Sequence, residues 1–113
     1  MEKMIRYQAI AKQILLSHAP SIEKEEDSGI DRIVICDEER GHYQLGRWGW
    51  DKGKRAKWMN FYFRLKNGKF WIEFDLTEAG IANDLLEAGV PREDIVLAFH
   101  EPEMRPLTEF AVV

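Results

Sequence analysis

A chain of 113 residues, 45% hydrophobic and 12% aromatic, is long enough to bury a core of its own, and no shift in composition divides it in two. Its net charge of -4 argues against a surface that is a nucleic-acid footprint throughout. One cysteine permits no intrachain disulfide, no run approaches the about 18 apolar residues of a membrane span, and Met1-Glu2-Lys3-Met4 lacks the apolar stretch of a signal peptide, so a cytoplasmic protein with no membrane association is expected.

From Glu2 to His18, the residues Met4, Tyr7, Ala11, Ile14 and His18 recur at three- and four-residue spacing, with Ile10 and Leu15 beside them. That period predicts an amphipathic helix, closed by Pro20. Ser21 to Gly29, with Glu23, Glu25, Glu26 and Asp27, reads as a solvated acidic loop.

Four strands are expected next, the first at about Ile30–Cys36, the second at about His42–Trp50, the third holding Trp58 to Leu65 and the fourth Phe70 to Leu76. Cys36, at the end of the apolar run Ile33-Val34-Ile35, is read as a small buried hydrophobe. Asp51-Lys52-Gly53-Lys54 is a turn. Beyond it Met59, Phe61, Phe63 and Leu65 alternate with Trp58, Asn60, Tyr62 and Arg64, so the first set is assigned to the core. Asn67-Gly68 is a strong hairpin signal, because both central positions of a type I′ turn need positive φ. The fourth strand then carries Phe70, Ile72, Phe74 and Leu76 on one face, opposite Trp71, Glu73 and Asp75.

Asp75-Leu76-Thr77-Glu78 has the spacing of a capping box, so a helix is expected to start there, with Ile81, Ala82, Leu85 and Leu86 buried and Gly89 then Pro91 as its stop. Ile95–Phe99 reads as a short buried strand or extended segment. Pro102 and Pro106 prevent a long regular element after it, and the apolar end Phe110-Ala111-Val112-Val113 should dock on the domain or on another chain. The expected fold is a single α+β domain over 1–113: a four-stranded antiparallel meander, an N-terminal and a C-terminal helix packed on it, and a short extra strand near the C-terminus.

Several motifs together carry a family resemblance. They are Glu39-Arg40-Gly41-His42-Tyr43-Gln44-Leu45 with Gly49-Trp50, Lys69-Phe70-Trp71-Ile72, Asp75 through Ala82, Gly89-Val90-Pro91, Asp94 through His100, and Pro102, Arg105, Thr108 and Phe110-Ala111-Val112. Spread over nearly the whole chain, they resemble the XisI-like family, the fdxN element excision controlling factor proteins. Gly41 and Leu76 depart from that pattern, where relatives are expected to have Asp and Gly. The resemblance implies a role in programmed DNA excision beside a recombinase and an XisH-like, endonuclease-type partner, and it implies no catalytic site, metal or cofactor.

Read from the residues alone, three functions compete. A metal-dependent nuclease would draw on Glu73, Asp75 and Glu78, with Glu73 and Asp75 on one strand face, but the cap already accounts for Asp75 and Glu78. His18, His42 and His100 are too scattered for a zinc motif. His42, Asp75, Glu78, His100 and Arg105 form a polar cluster only if the fold gathers them.

Direct nucleic-acid binding would use segment 47–69, where eight cations stand against Asp51 alone, a net of +7 that leaves -11 for the rest. Arg47, Lys54, Arg55 and Lys57 interleave there with Trp48, Trp50 and Trp58. Against it, turns 51–54 and 66–69 fall at opposite sheet ends, and alternation puts Lys57 and Arg64 on opposite faces. A protein-binding module would use Trp58, Tyr62 and Trp71, which alternation places away from the core, together with Phe110. That reading is preferred: a non-catalytic partner protein, homo-oligomeric as a dimer or complexed with an XisH-like protein, with any association with DNA indirect.

Overall fold

The computed structural model describes residues 2–19 and 29–113. The expected Pro20 stop and all of the acidic loop except Gly29 therefore lie outside the described residues. Helix α1 (Glu2–Ser17) turns Tyr7, Ala11, Ile14 and Leu15 into the core at the expected spacing, with Met4 at the stripe's exposed edge. Beyond it run strands β1 (Ile30–Asp37), β2 (His42–Asp51), β3 (Lys54–Lys66) and β4 (Lys69–Asp75), helix α2 (Ile81–Glu87) and strand β5 (Ile95–Val96). They form one sheet in the order β1-β2-β3-β4-β5, antiparallel except for the parallel β4–β5 pair. This is the expected α+β fold, with both helices packed on the sheet.

Both two-residue hairpins are type I′ turns. Lys52 and Gly53 have φ of 50° and 80°, and Asn67 and Gly68 have 55° and 74°. The inner face of the sheet holds Tyr43, Leu45, Phe61, Phe63, Leu65, Phe70 and Ile72, which pack with α1, α2, Val90 and Ile95 in one core. The stack of Tyr43 on Phe63, with ring centroids 5.3 Å apart, lies inside it.

Two bulges change what simple alternation implies. Leu45 pairs with Phe61 and Gly46 with Met59, so Asn60 is an extra residue in β3. Directly opposed residues share a face. Met59 therefore leaves the core face and joins Gln44, whose Nε2 donates to its sulfur at 3.6 Å, while Trp58 falls on the side of its partner Arg47. Lys57, opposite Trp48, now shares the outer face with Arg64, opposite His42, so the expected separation of those two cations is overturned.

Glu73 is the second extra residue, between the pairs Tyr62–Phe74 and Phe63–Ile72. Phe74 turns out to the Tyr62 side, and Leu76 is exposed, although both were expected in the core. Cys36 is likewise exposed on the edge strand. Partial desolvation and the Glu38 carboxylate raise its thiol above the ordinary value, with Lys12 opposing them.

The second helix starts later than the capping box implies. Asp75 receives the amides of Thr77, at 2.8 Å, and of Ile81, at 2.7 Å, and the Thr77 hydroxyl, so the carboxylate caps α2 from six residues upstream while Glu78 stays exposed. The helix ends in a Schellman turn: the Val90 amide donates to Leu85 O and the Gly89 amide to Leu86 O, both at 3.0 Å, with Gly89 at φ 94°. The C-terminal segment docks on its own domain. The Ala111 amide donates to Ile95 O at 2.8 Å, Phe110 packs against the core, and Lys69 Nζ donates to Val113 O.

Candidate functional site

The outer face of the sheet is the broadest candidate surface, because among the described residues no helix lies over it. Alternation along β1 and β2 brings Ile33, Ile35, Gln44 and Trp48 there, and the bulges add Met59 and Phe74 beside Tyr62. Ile33, Ile35, Gln44, Trp48, Trp58 and Met59 line a shallow depression of about 50 Å³. Ile33, Ile35, Trp48 and Phe74 are all exposed, and none of the four tryptophans is fully buried. Aromatic and aliphatic groups left uncovered in this way are the usual substance of an interface.

Polar pairs border the apolar area. Tyr62 Oη lies 2.8 Å from His42 Nδ1, and burial raises the Tyr62 hydroxyl above its ordinary value. Arg64 grips Glu73 through Nε and Nη2, both at 2.9 Å. Trp71 is held from within the chain: its Nε1 donates to Lys66 O at 3.0 Å, and Arg105 sits 5.8 Å from its ring. Phe110 is half-buried against its own core; of the other interface candidates Tyr62 and Trp71 share the outer face, and Trp58, paired with Arg47, borders the depression there.

The β2–β3 hairpin runs on past the last β1 pair, Ile30–Gly49, as an arm ending in the Lys52–Gly53 turn. Trp48, Trp50 and Trp58 are 42%, 58% and 40% exposed on it. Arg55 stands 5.3 Å from the Trp50 ring and donates Nη1 to Gly49 O at 3.3 Å, and Arg47 stands 5.9 Å from the Trp58 ring. Lys52, Lys54 and Lys57 are exposed and enter no ion pair among the described residues.

The polar cluster is not assembled. Asp75 serves the α2 start, beside exposed Glu78, and lies in the Phe61–Leu45 row on the inner side of the sheet. His42 lies on the outer side in the Arg64–Trp71 row. His100 packs on Phe99 at 4.6 Å, and Arg105 clamps the C-terminal turn by donating to His100 O at 3.1 Å and Ala98 O at 3.4 Å. The bulge also splits the expected carboxylate pair, since Glu73 is bound to Arg64 while Asp75 faces inward. Among the described residues no three His, Cys, Asp or Glu side chains gather as metal ligands.

Sequence reasoning missed a cleft of about 570 Å³ on the helix side, between the end of α1 and the 77–80 turn. His18 and Asp84 close one wall at 2.8 Å, Arg32 donates to His18 O at 2.9 Å, and Asn60 and Arg47 line the floor. Residues 66 positions apart make that wall, so no local pattern announces it.

A family model described as XisI protein matches residues 1–112. Among solved structures, the fdxN element excision controlling factor XisI from Anabaena variabilis ATCC 29413 is 35% identical, with a TM-score of 0.85, over 98% of this chain and 99% of that one. A XisI-like protein from the same organism is 34% identical, with a TM-score of 0.89, over 97% of this chain and 99% of that one. No curated protein matches the chain.

Proposed function

The chain belongs to the XisI family, and from that premise we propose that it is a non-catalytic controlling factor for excision of a DNA element, working through a complex with an XisH-like, endonuclease-type partner. Support comes first from a relative that is itself named an excision controlling factor. The observation that carries the partner complex is the uncovered outer face, where Ile33, Ile35, Trp48 and Phe74 lie exposed around half-buried Tyr62 and Met59. Burying such a face releases about 25 cal/mol for each Å² of apolar surface, and this chain leaves it to water. The same face could be covered by a second copy, which makes the homodimer the competing arrangement.

Coexpression with an XisH-like protein tests the reading. The two chains are expected to copurify at a fixed ratio, and Phe74→Asp or Ile35→Asp should abolish this while the purified variant keeps its melting temperature. Trp71→Ala should weaken the complex less, since Arg105 and Lys66 already hold that ring. A chain that remains a monomer by light scattering and fails to retain the partner would refute the complex.

A further inference from the structure

Part of the +7 of segment 47–69 falls where aromatic rings are exposed. From Arg47 to Trp58 the hairpin arm carries five cations against Asp51, a net of +4 in a chain whose total is -4. A type I′ turn of two residues joins its strands and fixes their register.

The register sorts those side chains. Trp48 opposes Lys57 and Trp50 opposes Arg55, so both indoles and both cations share the outer face as two neighbouring aromatic–basic pairs. The Trp48 ring leans over Gly46, where an added Cβ would stand 3.2 Å from its Nε1. Lys52 lies in the turn and Lys54 closes it opposite Asp51. Asp31, opposite Trp48, marks the acidic border at the β1 edge.

We propose that this arm is a binding site for single-stranded nucleic acid, with Trp48 and Trp50 stacking on unpaired bases and Lys52, Lys54, Arg55 and Lys57 meeting the phosphates. The pairing of ring and cation is what such a ligand requires: a base offers a flat π face, the backbone beside it offers regularly spaced negative charge, and neither demands a particular sequence. An acidic protein surface would satisfy the lysines and leave the exposed indoles without stacking partners. A second copy of the arm would oppose positive charge to positive charge. Trp48 is common to the outer-face surface and to this arm, Trp50 belongs to the arm alone, and the inference is tested without a partner protein.

The test is fluorescence polarisation of labelled single-stranded DNA with the purified full chain, beside single-stranded RNA and duplex DNA of the same sequence. Single strands should bind with quenching of tryptophan emission, and log Kd against log salt should change by about 0.7 for each phosphate neutralised. Trp50→Ala should weaken binding about tenfold or more. Lys54→Glu with Lys57→Glu should flatten the salt slope, whereas Phe74→Asp should leave binding unchanged. Matching DNA and RNA affinities support a site that reads only bases and phosphates, and a preference for either narrows the ligand. Absence of binding, tighter binding to duplex, or loss of self-association in Trp50→Ala with no change in nucleic-acid affinity would each overturn the proposal. Circular dichroism melting of each variant separates a lost site from a lost fold.

Discussion

Tyr7 Oη donates to Asp94 Oδ2 at 2.5 Å, a buried bond between the first helix and the turn that enters β5, 87 positions apart. Lys3 Nζ reaches the same oxygen at 3.0 Å. Burial alone would raise the Asp94 carboxyl, but the Tyr7 hydroxyl and the Lys3 ammonium hold it below the usual value. The two ends of the fold are tied here by one shared acceptor.

Two buried tyrosines should respond oppositely to loss of their hydroxyls. Tyr7→Phe removes a satisfied bond and leaves Asp94 short of a donor, so about 1–3 kcal/mol of stability should be lost in urea unfolding. The Tyr43 hydroxyl is buried without a hydrogen-bond partner among the described residues, so Tyr43→Phe should be neutral or stabilising by up to about 1 kcal/mol. Equal losses in the two variants would contradict this account.

The same groups set the pH limits of stability. Burial, then the bond to Asp94, pushes the Tyr7 hydroxyl up to about 12 from 10.0, and burial takes Tyr43 to about 12 as well. A raised value means that their contribution is complete below 10.0 and is lost as pH climbs toward about 12, because the unfolded chain ionises first. Asp94 acts in the other direction: its contribution is complete above 3.8 and disappears as pH falls through the lower value of the folded state. Denaturation midpoints measured across pH should show both limbs. The double variant Tyr7→Phe, Tyr43→Phe should flatten the alkaline one.

Asp75 and Glu78 can be told apart by truncation. Asp75→Ala strips the Thr77 and Ile81 amides of their acceptor and should cost about 1–2 kcal/mol, with faster amide exchange at the start of α2. Glu78→Ala, on an exposed side chain, should stay within about 0.5 kcal/mol. Similar costs at both positions would restore the reciprocal capping box.

Gly41 and Gly89 both hold positive φ, 76° and 94°, for different reasons. At Gly89 an added Cβ meets nothing within 4 Å, so Gly89→Ala should cost only the backbone strain, about 1–2 kcal/mol. At Gly41 the Cβ would strike the Leu65 carbonyl, whose own amide donates to Gly41 O at 2.9 Å. Gly41→Ala should therefore cost clearly more, read as the difference in melting temperature.

The hairpins, the helices and most of the core were legible because each rests on local chemistry: Asn67-Gly68 for a turn, three- and four-residue spacing for α1, Gly89 for the end of α2. What was not legible comes from single unpaired residues. Nothing about Asn60 or Glu73 as residue types announces a bulge, yet each reverses the facing of what lies beyond it, sending Met59 and Phe74 outward and bringing Lys57 to the side of Arg64. Cys36 was misplaced because an apolar run was read as buried, whereas β1 is the sheet's edge and its cover stops short. The His18–Asp84 wall of the cleft depends on long-range docking of α1 beside α2 and has no local signature.

Because the strands lie in space in the order in which they occur in the chain, each can join the one just before it as the polypeptide leaves the ribosome. The amino-terminal helix packs on strands made after it, but its tyrosine anchor is synthesised 87 residues before the aspartate that receives it. A nascent chain arrested ahead of Asp94 should thus hold a partly zipped sheet whose first helix lacks its last clasp, and that interval is when chaperones would have most to bind.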